Sequence, residues 1–383
     1  MINTQPLPVD IHVVYACDRG YLQYLAVSIR SLIDAFETGS HRNTHCLNVH
    51  VVIVGFADDD RALLKRIAQS ETAQVKLTLV DYELTNRYPD ALYPHIELVT
   101  LKYRFPELLT NIDRVIWIDA DTLVLSDITE LWDCDLDGHW IGTTNCVLTD
   151  ASLKIYQITS RGFFWSAENT INAGVMVLDL MQMRTLNVQR VLEAWTYKFR
   201  KVLSLPEQEA IAFNYPVRKI LDHKWNWRGA LRESEPYWAA GSAQERKDYS
   251  AIRPAIVHLQ ADFRPHNMII NTEFFSLWNR IHQALDLPST QPKPVPFMVF
   301  VYLMACGSNV SLRKARWFFV MAVLNFPLAL WCLLPYLRYR RDPERFNFPG
   351  ISDHQRTTAE AITERRTPCA EKGFVDLASK RRI

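Results

Sequence analysis

The chain has 383 residues, 48% hydrophobic and 22% charged, with a formal net charge of +1. That length accommodates one large α/β domain of roughly 250 to 290 residues plus an appendage, with a substantial buried core. The near-neutral balance lacks the basic footprint of a nucleic-acid binder, so no nucleic-acid partner is expected, and the seven cysteines form no CxxC pair and no regular spacing, which argues against a zinc ribbon or a disulfide framework and points to a reducing cytosol.

The opening MINTQPLPVDIHVVYACD has no basic lead, and its apolar run is too short for a secretory signal. HVVYACD (12–18) reads as a strand, and Leu22, Leu25, Ala26, Ile29, Leu32, Ile33 and Phe36 then recur at helical spacing. LNVHVVIVGF (47–56), a helix around Leu63, Leu64 and Ile67, and QVKLTLVDY (74–82) continue the alternation and predict a mostly parallel, doubly wound sheet. Asp58, Asp59 and Asp60 are expected to open that helix, where negative charge offsets the dipole. Neither a GxGxxG nor a Walker-type phosphate loop occurs, so a nucleotide is not held by a glycine-rich turn.

The segment RVIWIDADTLVL (114–125) is the most informative: an apolar strand ending in two carboxylates, Asp119 and Asp121. In extended chain, residues i and i+2 point the same way, so both carboxylates can reach one cation while Ala120 leaves room for a ligand. Oxygen donors suit Mg²⁺ or Mn²⁺, whose open positions phosphate oxygens fill. Read alone, the alternative is that one aspartate caps the next helix or starts a turn. Ligands of doubly wound sheets lie at strand carboxyl ends, where Asp18, Asp81 and the Asp119/Asp121 pair fall. Cys17 reads as a buried filler, and Trp225 and Trp227 as core.

Further on, Pro288 to Pro296 reads as a linker, and WFFVMAVLNFPLALWCLLPYL (Trp317 to Leu337) is uncharged over 21 residues. As a helix it would extend about 32 Å, near the thickness of a hydrocarbon core. Arginines and a lysine flank it on both sides, so charge leaves orientation open, and Asn325 and Pro327 interrupt it. A spanning helix, a re-entrant hairpin, an in-plane anchor and a buried core helix all remain open. The expected organisation is a catalytic domain over 1–288, a hydrophobic and basic membrane-associating helical region over 289–345, and a polar, disordered tail over 346–383.

Several motifs in order resemble the retaining glycosyltransferases of family 8, over most of residues 10–275. VVYACDRGYLQYLAVSIRSL is similar to the family's first strand and helix, YRFPELLTNIDRVIWIDADTLVLSDITELWDCDLDG to its DxD segment, TINAGVMVLDL to its FNAG-type sequence, PEQEAIAFNY to its DQD helix, KWNW to the segment that follows, and IVHLQADFRPH to the place where a histidine completes the metal site. The resemblance implies a GT-A-type α/β fold, a single mostly parallel twisted sheet with helices on both faces. It implies that Ala16, Asp18 and Tyr21 lie beside the uridine and that Asp119, Asp121 and His258 hold Mn²⁺ or Mg²⁺. Asn172 would contact the donor sugar, and Gln208, flanked by Glu207 and Glu209, would lie against its face opposite the leaving group. Ala261 and Arg264 would lie near the diphosphate, where Arg264 helps neutralise a departing UDP, with Ala120 of the acidic motif among the residues beside the bound nucleotide.

Departures from the pattern matter too. The basic residue ahead of the DxD motif is either Lys102, by counting, or Arg104, by the text YRF, and lysine would lose the bidentate fork. Asn145 and Cys146 stand where an aspartate is common, DQD has become Glu207-Gln208-Glu209, and Ala261 replaces a frequent glycine. The expected activity is transfer of galactose or glucose from a UDP-sugar to a glycan or glycolipid hydroxyl in cell-surface polysaccharide or lipopolysaccharide synthesis, at the cytoplasmic face of the inner membrane. Two alternatives stand beside it: a DxD phosphohydrolase of the haloacid dehalogenase type, with Asp119 as nucleophile, and a catalytically idle UDP-sugar-binding membrane protein.

Overall fold

The structure is a computed structural model that describes residues 8–145, 170–203, 205–227, 252–259, 273–289, 294 and 326–342. Its centre is a seven-stranded sheet of β1 (Val9–Asp18), β2 (His45–Val54), β3 (Gln74–Asp81), β4 (Arg114–Ile118), β6 (Ile141–Asn145), β7 (Ile171–Asp179) and β8 (Lys219–Ile220), in the order β3-β2-β1-β4-β7-β6-β8. Only β7 runs against the others. Position in the sheet follows composition. β2, HCLNVHVVIV, is buried over nearly its whole length and lies between two neighbours, whereas β3, QVKLTLVD, exposes alternate residues and forms an edge.

Helices α1 (Leu22–Glu37) and α2 (Asp58–Ile67) join the first three strands, as the periodicity predicts. Asp60 accepts from the Ala57 backbone N–H at 2.8 Å and pairs with Arg19, so the acidic triplet opens α2 as expected. One-turn helices α3 (Ile96–Val99), α4 (Phe105–Leu108) and α5 (Thr129–Trp132) precede and follow β4, and α6 (Leu180–Thr185), α7 (Val188–Phe199) and α8 (Pro206–Asn214) come after β7. Phe105, Trp117, Met176, Leu178, Leu192 and Ile211 are among the side chains of one apolar core between these helices and the sheet. Cys17 is buried, and burial pushes its thiol well above the usual range, in keeping with a filler. Trp225 and Trp227 are core, as expected.

Two expectations need correction. The 114–125 segment is not one strand: β4 stops at Ile118, Ala120 and Asp121 form a turn, and β5 (Thr122–Val124) leaves the main sheet. The turn is closed locally, since Thr122 Oγ1 donates to the Asp119 carbonyl at 3.0 Å. Nor is the sheet single. β5 pairs antiparallel with β9 (Ile256–His258), with Thr122 opposite His258.

The chain divides into two compact units, Met1–Trp227 with Tyr237–His258, and Arg228–Pro236 with Leu259–Ile383. The described helices of the second are α9 (Glu273–Ala284) and α10 (Phe326–Arg341), which contains Pro335. Among the described residues no helix is long and apolar enough to cross a membrane. Residues 317–325 of the expected apolar span lie outside them, as do the expected tail from 346 and all of 289–345 except 289, 294 and 326–342.

Candidate active site

Parallel pairing of β1 with β4 brings the ends of both strands to the same edge of the sheet, so Asp18 and the Asp119–Asp121 turn share it. β5 carries β9 alongside, which sets His258 beside the carboxylates. Ligand atoms of Asp119, Asp121 and His258 all lie within 4.8 Å of one another. His258 Nε2 is 3.2 Å from Asp121 Oδ1 and 3.5 Å from Asp119 Oδ2. Asp121 and His258 are buried, and Asp119 is partly open.

Helix α1 fixes this turn. Ser31 Oγ accepts from the Val124 backbone N–H at 3.0 Å, and Ser28 and Thr122 hydroxyls lie 2.7 Å apart. Asp119 is held from the sheet side: its N–H donates to the Gly174 carbonyl at 2.8 Å, and Trp117 Nε1 donates to its Oδ1 at 3.0 Å. Buried hydroxyls on α1 are thus occupied in aiming the acidic turn.

Of the two candidate basic residues, Lys102 stands at the cluster. It is buried, with Nζ 3.9 Å from Asp119 Oδ1, donating to the Ala173 carbonyl at 3.3 Å and lying over the Trp117 ring. Arg104 pairs instead with Glu107 at 2.6 Å and donates to the Tyr82 hydroxyl at 3.2 Å. Glu207, in the first turn of α8, has its carboxyl pushed up by burial, an effect that Lys102 opposes and Asp119 reinforces. Gln208 Nε2 lies 3.4 Å from Glu207 Oε1, and Glu209 accepts from the Leu205 backbone N–H at 3.0 Å, tying down the start of α8.

Asp18 Oδ1 is buried without a hydrogen-bond partner, an acceptor left open at the end of β1. Ala16 lies in the same strand, Tyr21 follows in a 3₁₀ turn with its ring 5.9 Å from that of Tyr24, and Ala120 is buried within the acidic turn. Asn172 is buried on β7, where its Oδ1 accepts from the Gly174 N–H at 2.9 Å and from Asn226 Nδ2 at 2.7 Å. Asn226 Oδ1 lies 3.1 Å from His258 Nδ1. Asn226 was not among the expected site residues. Its signal was the KWNW segment, read for its tryptophans. Asn145 pairs with Arg218 at 3.2 Å; Cys146, Ala261 and Arg264 lie outside the described residues.

Two carboxylates and an imidazole, largely buried together, form a donor set that fits Mn²⁺ or Mg²⁺. Two neighbouring carboxylates, one buried and one partly open, call for positive charge, and Lys102 stands 3.9 Å from Asp119. The sequence matches the model of glycosyl transferase family 8 over residues 12–267. The chain belongs to that family. Among curated relatives, general stress protein A of Bacillus subtilis is 26% identical over 67% of this chain and 87% of its own length. Glycosyltransferase GlyF of Streptococcus pneumoniae is 22% identical over 72% of this chain and 61% of its own. The chain spans 58% of a Haemophilus influenzae relative named as a glycosyltransferase. A crystal structure of galactosyltransferase LgtC, in complex with donor and acceptor sugar analogs, superposes with a TM-score of 0.57 at 17% identity, covering 73% of this chain and 98% of that one. The bifunctional glycosyltransferase WbbM superposes with the same score at 16% identity, over 73% and 50%. The family 8 chain therefore has the GT-A-like α/β fold with a mostly parallel sheet.

Proposed function

We propose that this enzyme moves a hexose, galactose or glucose, from a UDP-sugar to a hydroxyl of a glycan or glycolipid in cell-surface polysaccharide or lipopolysaccharide synthesis, retaining the anomeric configuration. The observation that carries the reading is the convergence of Asp119, Asp121 and His258 at the strand edge that also bears the unpartnered Asp18 Oδ1. The three side chains would hold Mn²⁺ or Mg²⁺, which when bound supplies positive charge to the diphosphate of the leaving UDP.

The chain's own residues divide the remaining work. Asp18 accepts a hydrogen bond from the base or ribose, with Ala16 and Tyr21 beside it. Lys102 orients Asp119 and offsets the negative charge of the buried acidic cluster. Glu207, in the first turn of α8, hydrogen-bonds a sugar hydroxyl, and Gln208 and Asn172 position the donor sugar. The acceptor is membrane-borne, and the C-terminal region holds the enzyme at the cytoplasmic face of the inner membrane. That part of the reading is supported by the uncharged stretch Trp317 to Leu337 and by exposed Arg338, Arg340 and Arg341 at the end of α10.

The test is UDP release by purified protein supplied with a panel of UDP-sugars, Mn²⁺ and a membrane extract as acceptor. Release with one UDP-hexose, falling by about 10²-fold or more in Asp121→Ala, is expected. No release with any donor, or undiminished release by the variant, would refute the proposal.

A further inference from the structure

The orientation of His258 is dictated by a chain of groups whose donors and acceptors can be assigned one after another. The Gly174 backbone N–H can only donate, so the Asn172 atom 2.9 Å from it is the amide oxygen. That oxygen is 2.7 Å from the Asn226 amide, which must present its nitrogen. Thr144 Oγ1, at 3.2 Å, also receives this nitrogen. Asn226 consequently turns its oxygen to the imidazole, 3.1 Å from Nδ1. An acceptor there requires the hydrogen on Nδ1, so in the neutral ring the lone pair sits on Nε2, the nitrogen that faces Asp121 and Asp119. Asn226 is 1% exposed, so bulk water does not compete for either end of its amide.

We propose that Asn226 is the positioning residue of His258: it selects the tautomer and ring orientation that direct Nε2 at the cation. This deepens the metal-site reading above and rests on it. An acceptor on the far nitrogen of a metal-binding histidine typically changes metal affinity by about 10–100-fold. A buried asparagine with a merely structural role would have no reason to act through His258.

The experiment is a double-mutant cycle in Mn²⁺ affinity, read from the free-ion electron paramagnetic resonance signal with UDP present and no sugar donor. Asn226→Ala should weaken Mn²⁺ binding by about 10–100-fold in the wild-type background and leave it unchanged in the His258→Ala background. Asn226→Ser, which fills more of the site, carries the same expectation should the alanine variant not fold. Electron spin-echo modulation from a directly bound ¹⁴N should be present in the wild type, absent in His258→Ala and weakened in the Asn226 variants. Wild-type affinity in the Asn226 variants, or an equal loss in both backgrounds, overturns the role of Asn226 alone. Wild-type protein that binds no Mn²⁺ overturns the metal-site reading and this inference with it.

Discussion

Gly174 sits where the site tolerates no side chain: an added Cβ would lie 2.2 Å from His258 Cε1 and 2.3 Å from Nδ1. The contacted ring is buried and hydrogen-bonded, so it cannot simply swing aside. Gly174→Ala is therefore expected to displace the imidazole and lower Mn²⁺ affinity by about tenfold or more, while circular dichroism stays native. Unchanged affinity by calorimetry would contradict this view of how the ring is held. At this scale the acidic pair was legible in the sequence, because it follows an apolar run where a charged side chain needs a reason, whereas His258 entered only through the resemblance of IVHLQADFRPH to the family's motif. Asn226 was not legible, since its role depends on Asn172 and Gly174, more than 50 residues earlier. Counting pointed to Lys102 and the text YRF to Arg104; Lys102 is the one that stands at Asp119, while Arg104 is engaged by Glu107 and Tyr82, which spacing along the chain does not show.

Strands β1 and β2 carry a polar pair within their apolar runs. His12 Nδ1 is 3.0 Å from His50 Nε2, and the rings stack with centroids 5.3 Å apart. Burial, with a smaller contribution from His12, pushes His50 down to about 4. An unfolded histidine takes its proton near pH 6.5, so between about 6.5 and 4 the unfolded chain binds more protons than the folded one. This imidazole therefore makes stability fall as the pH drops through that window, by up to about 3 kcal/mol, with no further loss below it. Glu193 and Glu207, raised by burial, act with the opposite sign, so the informative quantity is the difference between wild type and His50→Gln. Melting temperatures at pH 7 and 4.5 should show a smaller acid-induced drop in the variant; parallel profiles would count against it. β1 begins at Val9 and β2 at His45, ahead of the apolar runs that announced them, because the backbone pairing of Val9 with His45 and of Asp10 with Cys46 continues where side-chain hydrophobicity does not. β5 escaped notice because Thr122, Leu123 and Val124, next to a strand, read as more strand, and only the partner β9 reveals a second sheet.

For the whole molecule, the alternation of strands and helices was enough to predict the doubly wound architecture. It did not announce the reversal of β7, whose composition matches that of the parallel strands and whose direction depends on chain routing. The proposed membrane attachment belongs to this scale. Cutting the chain at 290 removes the apolar stretch and the arginines of α10, each basic residue contributing about 1 kcal/mol near an anionic surface. The shortened protein is expected to remain in the supernatant when membranes are sedimented with the full chain; complete retention on the membranes would contradict that attachment. Everything catalytic in the account depends on one cation bound where β4, β5 and β9 converge. Anomalous scattering at the manganese edge, from crystals grown with MnCl₂ and UDP, tests this most directly. The account predicts a strong peak within bonding distance of Asp119, Asp121 and His258 Nε2; a peak elsewhere with these three side chains bare would contradict it.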